Sequence, residues 1–385
     1  MPEAVIVETV RTPIGRAFKG SLIGHRPDDM AAFALDALLD RVPGVKPEDV
    51  EEVAMGCGMP QGEQAWNIGR IAVLLSRLPN TTNGITISRY CSSSLDAINY
   101  CASRIKAGQG DVYIAGGVEC VSHFNEQTEA AGVAHRNVLV NGEDGRVNAY
   151  IDMGITAVNV ANKYGVKRED MDRYAQRSQE LAVASQESGF FDKEIVPIPG
   201  ADGTEVAKDD GPRASSTYEK LAALDEAFGG GGVTAGNSCP LNDGAAAVLV
   251  MSEDKAKELG LTPRARIVTA AHGGLEPELM GVAPIEAVRK VLDRAGMTIG
   301  DIDRVELNEA FAAQVIPIMD ECGIELEKLN THGGAIALGH PFGMTGARIM
   351  GTLLNVLESD DQTVGLETMC VAGGQGAAMI VERTN

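Results

Sequence analysis

Residues 35–53 read LDALLDRVPGVKPEDVEEV, and residues 288–305 read VRKVLDRAGMTIGDIDRV. Each stretch has an amphipathic run closing on Leu-Asp-Arg, a turn containing glycine, and then Asp-(Val/Ile)-x-x-Val, which has strand character. Helix followed by strand, met twice far apart in one chain, predicts an α/β protein built from a duplicated unit. A second echo sets Ile114-Ala115-Gly116-Gly117 against Cys370-Val371-Ala372-Gly373-Gly374, each near the end of a strand-like run. Two copies of one unit follow, one near residues 1–118 and one near 267–385.

Between the copies the texture changes. The stretch from His123 to Asn148 is polar and weakly periodic, while Ile155–Tyr164 and Arg168–Ser188 have the spacing of surface helices. Turn-rich segments follow at 197–203 and 209–212, then the run Gly229-Gly230-Gly231-Gly232. Connections of this length are commonly functional, so residues 119–243 are read as an inserted loop domain. Ala245–Val250 returns to strand character and rejoins the first unit, which then comprises 1–118 plus 244–266, leaving 267–385 for the second.

The 385 residues carry a net charge of −21, with 44% hydrophobic and 23% charged residues. That balance is globular. No Lys/Arg stripe is present, which speaks against a nucleic-acid partner. An anionic substrate must therefore find a local basic pocket. No run approaches a membrane span, and Met1–Val7 lacks the features of a signal peptide, so a cytoplasmic location without membrane contact is expected. The seven cysteines form no Cys-x-x-Cys pair, which disfavours a disulfide framework or a zinc site.

The chemistry sits at junctions. Cys91 follows the strand-like Ile85-Thr86-Ile87-Ser88 and precedes a helical run from Ser92 to Lys106. A thiol at a helix N-terminus meets unpaired N–H groups and the positive end of the dipole, so its pKa is expected to fall. His340 lies in a Gly-rich, sharply turned stretch, Gly333 to Pro341, ahead of a helix. Its imidazole can act as a base. His332 is expected to be structural. Cys370 ends a strand at a glycine cluster, and Asn308 follows the strand Arg304–Leu307.

Cys91-Ser92-Ser93, Asn308-Glu309-Ala310-Phe311, Gly339-His340-Pro341 and Cys370 occur in the order and spacing of the thiolase family. So do Arg11-Thr12-Pro13-Ile14-Gly15 and Asn242-Asp243-Gly244-Ala245-Ala246, and the chain resembles that family over essentially its whole length. The resemblance implies two αβα core units in five layers, with the loop domain over the site, assembled as a homodimer or homotetramer. It implies acyl transfer between CoA thioesters: thiolysis of a 3-oxoacyl-CoA, or Claisen condensation of an acyl-CoA with acetyl-CoA. Cys91 would carry the acyl group, His340 would activate it, and Cys370 would exchange the α-proton. Asn308 would hold a water that joins His340 in one oxyanion hole, and the backbone N–H groups of Cys91 and Ala372 would form the other. No metal or redox cofactor is needed, with coenzyme A as substrate or product.

By the same resemblance Arg213, in Asp209-Asp210-Gly211-Pro212-Arg213, packs by the adenine of CoA. Ser238 and Cys239 contact pantetheine, and Met153, Met280 and Phe311 border the acyl group. The chain departs from the family pattern at Ser94 and Ala372, where Gly is usual, at Cys239, where Ser is common, and at Asp152, which is His in short-chain biosynthetic members. Two alternatives remain to be tested. One is a catalytically silent acyl-CoA or lipid carrier of the same fold. The other is a decarboxylating condensing enzyme of the ketoacyl synthase type, which generally lacks the second cysteine.

Overall fold

The structure is a computed structural model and describes residues 2–124, 136–200 and 203–384. The polar stretch 123–148 and the turns at 197–203 therefore lie partly outside the described residues. Among the described residues the strands are β1 (Ala4–Arg11), β2 (Gly15–Arg16), β3 (Glu52–Cys57), β4 (Asn83–Ile87), β5 (Val112–Cys120), β6 (Ile198–Pro199), β7 (Glu205–Val206), β8 (Asn242–Ser252), β9 (Ala265–Gly274), β10 (Arg304–Leu307), β11 (Val364–Val371) and β12 (Gln375–Arg383).

The repeated stretches fold alike. Helices 27–41 and 284–295 each place proline in the first turn, where its missing N–H costs nothing. Short 3-10 turns at 47–49 and 299–301 follow, and then β3 and β10. In the N-terminal half the strands run β4-β3-β5-β8-β1, and in the C-terminal half β9-β12-β11-β10. Both halves pair in one pattern. β1 and β9 lie antiparallel to β8 and β12, and these lie antiparallel to β5 and β11. β5 and β11 lie parallel to β3 and β10. A parallel bridge between Val305 and Leu329 stands where β4 pairs β3. The halves join through a short β1–β9 contact, Val5 opposite Arg266 and Ile6 opposite Ala265.

The registers correct the second sequence echo. Ile114 lies opposite Val53, and Leu366 lies opposite Val305. Since Val53 and Val305 are equivalent in the repeat, Ile114 corresponds to Leu366, and Val118 to Cys370. Gly-Gly at 116–117 and at 373–374 share composition but not position. Glycine is wanted at both places for different reasons: close packing within β5, and a turn with φ of +80° at Gly373 and Gly374.

Three apolar clusters define the layers. Helices 93–106 and 345–359 meet between the two halves, with Leu95, Ile98 and Ile105 in one cluster with Ile349, Leu353 and Leu357. Helices 27–41 and 68–75 cover the outer face of the N-terminal half. Helices 284–295 and 312–322 cover that of the C-terminal half, with helix 153–164 beside them. Each fully buried leucine in this seam contributes roughly 1.5–3 kcal/mol. The arrangement fixes the two central helices, and hence the turns that lead into them, at the meeting of the halves.

Candidate active site

Cys91 and His340 occupy those two turns. β4 passes into a 3-10 turn, Tyr90–Ser92, and then into helix 93–106. Tyr90 takes φ of +45°, a conformation that costs a non-glycine residue about 1–2 kcal/mol. The turn is held closed locally. Ser93 Oγ donates to Tyr90 O at 2.6 Å and accepts from Arg89 N–H at 2.9 Å. Asp96 accepts from Ser92 Oγ at 2.8 Å and Arg89 Nε at 2.8 Å, and pairs with His272 Nε2 at 2.7 Å.

His340 follows a one-turn helix, Ala335–Leu338, where the sequence suggested only loop. At Gly339, with φ of +114°, a Cβ would stand 2.6 Å from the Asn242 side chain. Asn242 Oδ1 accepts the His340 N–H at 2.9 Å, so any larger residue at 339 would displace the anchor. The ring's protonation follows from its partners. Thr345 Oγ1 donates its one hydrogen to Pro341 O at 2.8 Å, so it accepts from His340 Nδ1–H at 2.6 Å. Nε2 is left with a lone pair, which receives Asn308 Nδ2–H at 3.2 Å. Burial, reinforced by Arg348, pushes the imidazole down to about 3. It is neutral at physiological pH, with its basic nitrogen at Nε2.

The thiol overturns one expectation. Burial pushes Cys91 well above the ordinary cysteine value, and Cys370, Cys239 and Glu119 add to the shift; the Ala372 N–H, donating to the sulfur, opposes it. The helix begins only at Ser93, and burial is the largest influence on the thiol. The directions of the two shifts favour a protonated thiol and a neutral imidazole in one cavity over a thiolate–imidazolium pair. Cys370, in β11, is likewise pushed up to about 11 by burial. Gln314 Nε2 donates to its sulfur at 3.0 Å.

These groups share a cavity of about 380 Å3. Cys91, His340 and Cys370 line it together with Met153, Met280, Phe311, Ser238 and Cys239, all singled out from the sequence, and with Asp152, Phe228, Leu241 and Phe342. Phe228 and Phe311 meet edge to face, 6.2 Å between ring centres. Asn308 reaches the cavity through His340, and its Oδ1 is buried without a partner among the described residues. A second channel of about 530 Å3 shares Phe228, Ser238 and Cys239 with the first and runs outward past Ile336 to Arg16, Arg213 and Lys220. Burial, with Arg16 close enough to add to it, weakens the basicity of Arg213, and neither guanidinium is in an ion pair among the described residues. This is the local basic pocket that an acidic protein needs for an anionic ligand.

Sequence reasoning missed Gln314, Thr345, Arg16 and Lys220. Gln314 did leave a signal, as the lone polar residue in the apolar run Ala310–Met319. Thr345 left none. His332 stacks on Phe190, 3.5 Å between ring centres, and its Nδ1 meets Ser185 Oγ at 2.8 Å, away from the cavity. Ser94 Oγ accepts the Ala347 N–H at 2.9 Å, which ties the two central helices together. Among the described residues no group of three acidic, His or Cys side chains could hold a metal, and no helix is long and apolar enough to cross a membrane.

A duplicated αβα core that sets two cysteines, a neutral histidine and an asparagine around one cavity beside a basic channel defines an enzyme of acyl-thioester chemistry. The thiolase N-terminal domain family matches residues 4–254 and the thiolase C-terminal domain family matches 261–383. The chain is 43% identical to the 3-ketoacyl-CoA thiolase of Shewanella frigidimarina, aligned over 100% of each. It is 44% identical to the beta-ketoadipyl-CoA thiolase of Escherichia coli, again over 100% of each. The crystal structure of the Bacillus anthracis acetyl-CoA acetyltransferase superposes with a TM-score of 0.91 at 38% identity, covering 100% of this chain and 99% of that one. The chain belongs to the thiolase family and is an acyltransferase.

Proposed function

We propose that this thiolase cleaves 3-oxoacyl-CoA with free CoA, and runs the reverse condensation where acetyl-CoA accumulates. The observation that carries the reading is the Nε2 lone pair of His340, fixed by Thr345 and Asn308, in the same cavity as the Cys91 and Cys370 thiols. As Cys91 sulfur attacks the 3-oxo carbon, its proton passes to Nε2. The C2–C3 bond then breaks, and the enolate of acetyl-CoA takes its proton from Cys370. The acyl group stays on Cys91 until CoA, its thiol proton passing to the Cys370 thiolate, attacks the thioester carbon; the C–S bond to Cys91 breaks, and His340 returns the proton to the Cys91 sulfur. Two oxygens gain charge in turn. One is served by the N–H groups of Cys91 and Ala372. The other is served by His340 and a water held by Asn308, for which Oδ1 is the open acceptor. Donors of this type are worth about 2.7–4 kcal/mol each. Side chains and CoA account for every proton and bond, so the scheme needs no metal or redox cofactor.

In this reading Arg16, Arg213 and Lys220 receive the phosphates of CoA, and Ser238 and Cys239 border the pantetheine arm. The acyl pocket has no cation among the described residues that line it, and it carries Asp152. A neutral acyl chain therefore suits it better than one ending in a carboxylate. The segment between β5 and β8 acts as the cover over the site, and a cytoplasmic homodimer or homotetramer is the assembly the family resemblance implies.

The test is thiolysis across 3-oxoacyl-CoA substrates of rising chain length, with 3-oxoadipyl-CoA as the anionic control, and intact-mass measurement of Cys91 acylation. Turnover with an acyl adduct that Cys91→Ala abolishes is expected, with the neutral six-carbon substrate ahead of the anionic one. Binding without an adduct would point to a silent carrier. Turnover with malonyl thioesters would point to a decarboxylating synthase.

A further inference from the structure

Glu119 is buried at the end of β5 and has no part in the chemistry described above. Its carboxylate is nonetheless saturated with donors from both halves. Oε2 accepts Gly58 N–H at 2.8 Å and Gly343 N–H at 2.8 Å. Oε1 accepts Met59 N–H at 3.2 Å and the Gln64 amide. Gly58 and Met59 follow β3 in the N-terminal half, whereas Gly343 lies three residues after His340 in the C-terminal half. The packing leaves no slack around this knot. A Cβ on Gly117 would collide with Gly343 O, and one on Gly343 with Val118 O. A Cβ on Gly58 would stand 2.6 Å from Glu119 Oε2 and 3.2 Å from Tyr90 O, the carbonyl just before Cys91. One unbroken set of contacts thus runs from the Cys91 turn through Gly58 and Glu119 to the His340 loop.

We propose that Glu119 is a positioning residue: its carboxylate clamps the His340 loop of the C-terminal half onto the strand ends of the N-terminal half and so sets the approach of Nε2 to the Cys91 thiol. The proposal rests on the roles given above to Cys91 and His340. A carboxylate suits the task because it accepts several N–H groups at once, which an amide side chain cannot do without presenting its own N–H groups to some of them. Its charge has a second effect. Of the groups whose fields raise Cys91, which are Cys370, Cys239 and Glu119, only Glu119 is a carboxylate. Burial pushes Glu119 itself up to about 7, so it is charged at the alkaline pH where Cys91 ionises, and there its field, after those of Cys370 and Cys239, favours the protonated sulfur.

The two effects predict opposite movements in one variant. In Glu119→Gln, kcat for acetoacetyl-CoA thiolysis is expected to fall 10- to 100-fold with KM for CoA within twofold, since the basic channel lies elsewhere. Alkylation of Cys91 by iodoacetamide, followed by mass spectrometry against pH, is expected to move its midpoint down. A lesion of stability alone would slow turnover without making Cys91 easier to ionise. Glu119→Asp keeps the charge and shortens the arm. It should lose turnover while keeping the wild-type alkylation midpoint, and it decides the matter if Glu119→Gln does not fold. A folded Glu119→Gln or Glu119→Asp with wild-type kcat would overturn the proposal. Retained thiolysis in Cys91→Ala would instead overturn the assignment of the nucleophile and leave the Glu119 contacts unexplained, so the two failures are distinguishable.

Discussion

The two halves of this molecule share one strand pattern and have diverged in what they carry at equivalent positions. The registers align Gly56 with Asn308, Val118 with Cys370, Gly117 with Met369, and the pair Ala54/Ala115 with Glu306/Glu367. At these places the N-terminal half carries only glycine, alanine and valine, where the C-terminal half carries Asn308, Cys370, Met369 and the Glu306/Glu367 pair; Glu119, the charged residue at the end of β5, aligns with Val371. The reason is steric. Gly117 and Gly58 must be glycine to admit the loop bearing His340, while Gly56 is held to glycine by the backbone of Ser93 and Ser94 at the start of helix 93–106. The joint after β5 holds residues 121–241, whereas the joint after β11 is the three-residue turn Ala372–Gly374. A duplicated core thus became a site by opening one hairpin and emptying one set of strand ends.

The comparison is most sharply broken at the central turns, where each half contributes one reactive group. Cys91→Ala is expected to lower kcat for thiolysis by roughly 10^4-fold or more, and His340→Ala by roughly 10^2–10^4-fold, in steady-state assays. The double variant should lose little beyond Cys91→Ala alone, because groups acting as a unit are not additive. A fully additive loss would show that the halves act separately.

The strand ends come next. Gly117→Ala puts a methyl against Gly343 O and should destabilise the fold by about 1–3 kcal/mol in urea melts while disrupting turnover. At the equivalent Met369, Met→Ala leaves a cavity worth about 2–5 kcal/mol but should spare kcat. If both variants harmed kcat alike, the asymmetry drawn here would fail.

A smaller effect belongs to the channel. Arg213→Ala, and separately Arg16→Ala, should raise KM for CoA roughly tenfold, about 1.4 kcal/mol, with kcat little changed. The effect should shrink as salt rises.

The smallest effect is on stability against pH. Glu306 and Glu367 are cross-strand neighbours, both buried, with Arg348 the cation whose field reaches both. Burial pushes Glu306 up to about 8 and also raises Glu367 well above the ordinary glutamate range. A carboxyl raised in the folded state favours folding while protonated, so this contribution is full below the ordinary glutamate range and is lost as pH climbs through about 8. Wild-type Tm should therefore fall by roughly a few degrees between pH 6 and 9, and Glu306→Gln should flatten the decline. The Ala54/Ala115 pair of the other half has nothing to titrate.

Much of this was legible in the sequence. Periodicity and the Leu-Asp-Arg repeat located helices 27–41 and 284–295 and the strands that follow them, because local hydrophobic spacing reports one face of an element. The motif set also located Cys91, Asn308, His340 and Cys370. The chain's acidity further required that any anionic ligand find its own basic pocket. Other features depend on contacts across long separations, which no local pattern carries. The direction in which the Cys91 thiol is shifted was set by its surroundings in the fold, where burial raises it, against the lowering that local reading of the helix N-terminus had favoured. The tautomer of His340 needed Thr345 and Pro341 in place, and the support of Cys370 needed Gln314, 56 positions away along the chain. The sequence named the candidate reactive groups, and the structure brings Cys91, His340 and Cys370 into one cavity. Their protonation and mutual aim were decided only when two halves of one repeat closed on each other, because burial and hydrogen-bond partners are properties of the packed interior and not of the chain.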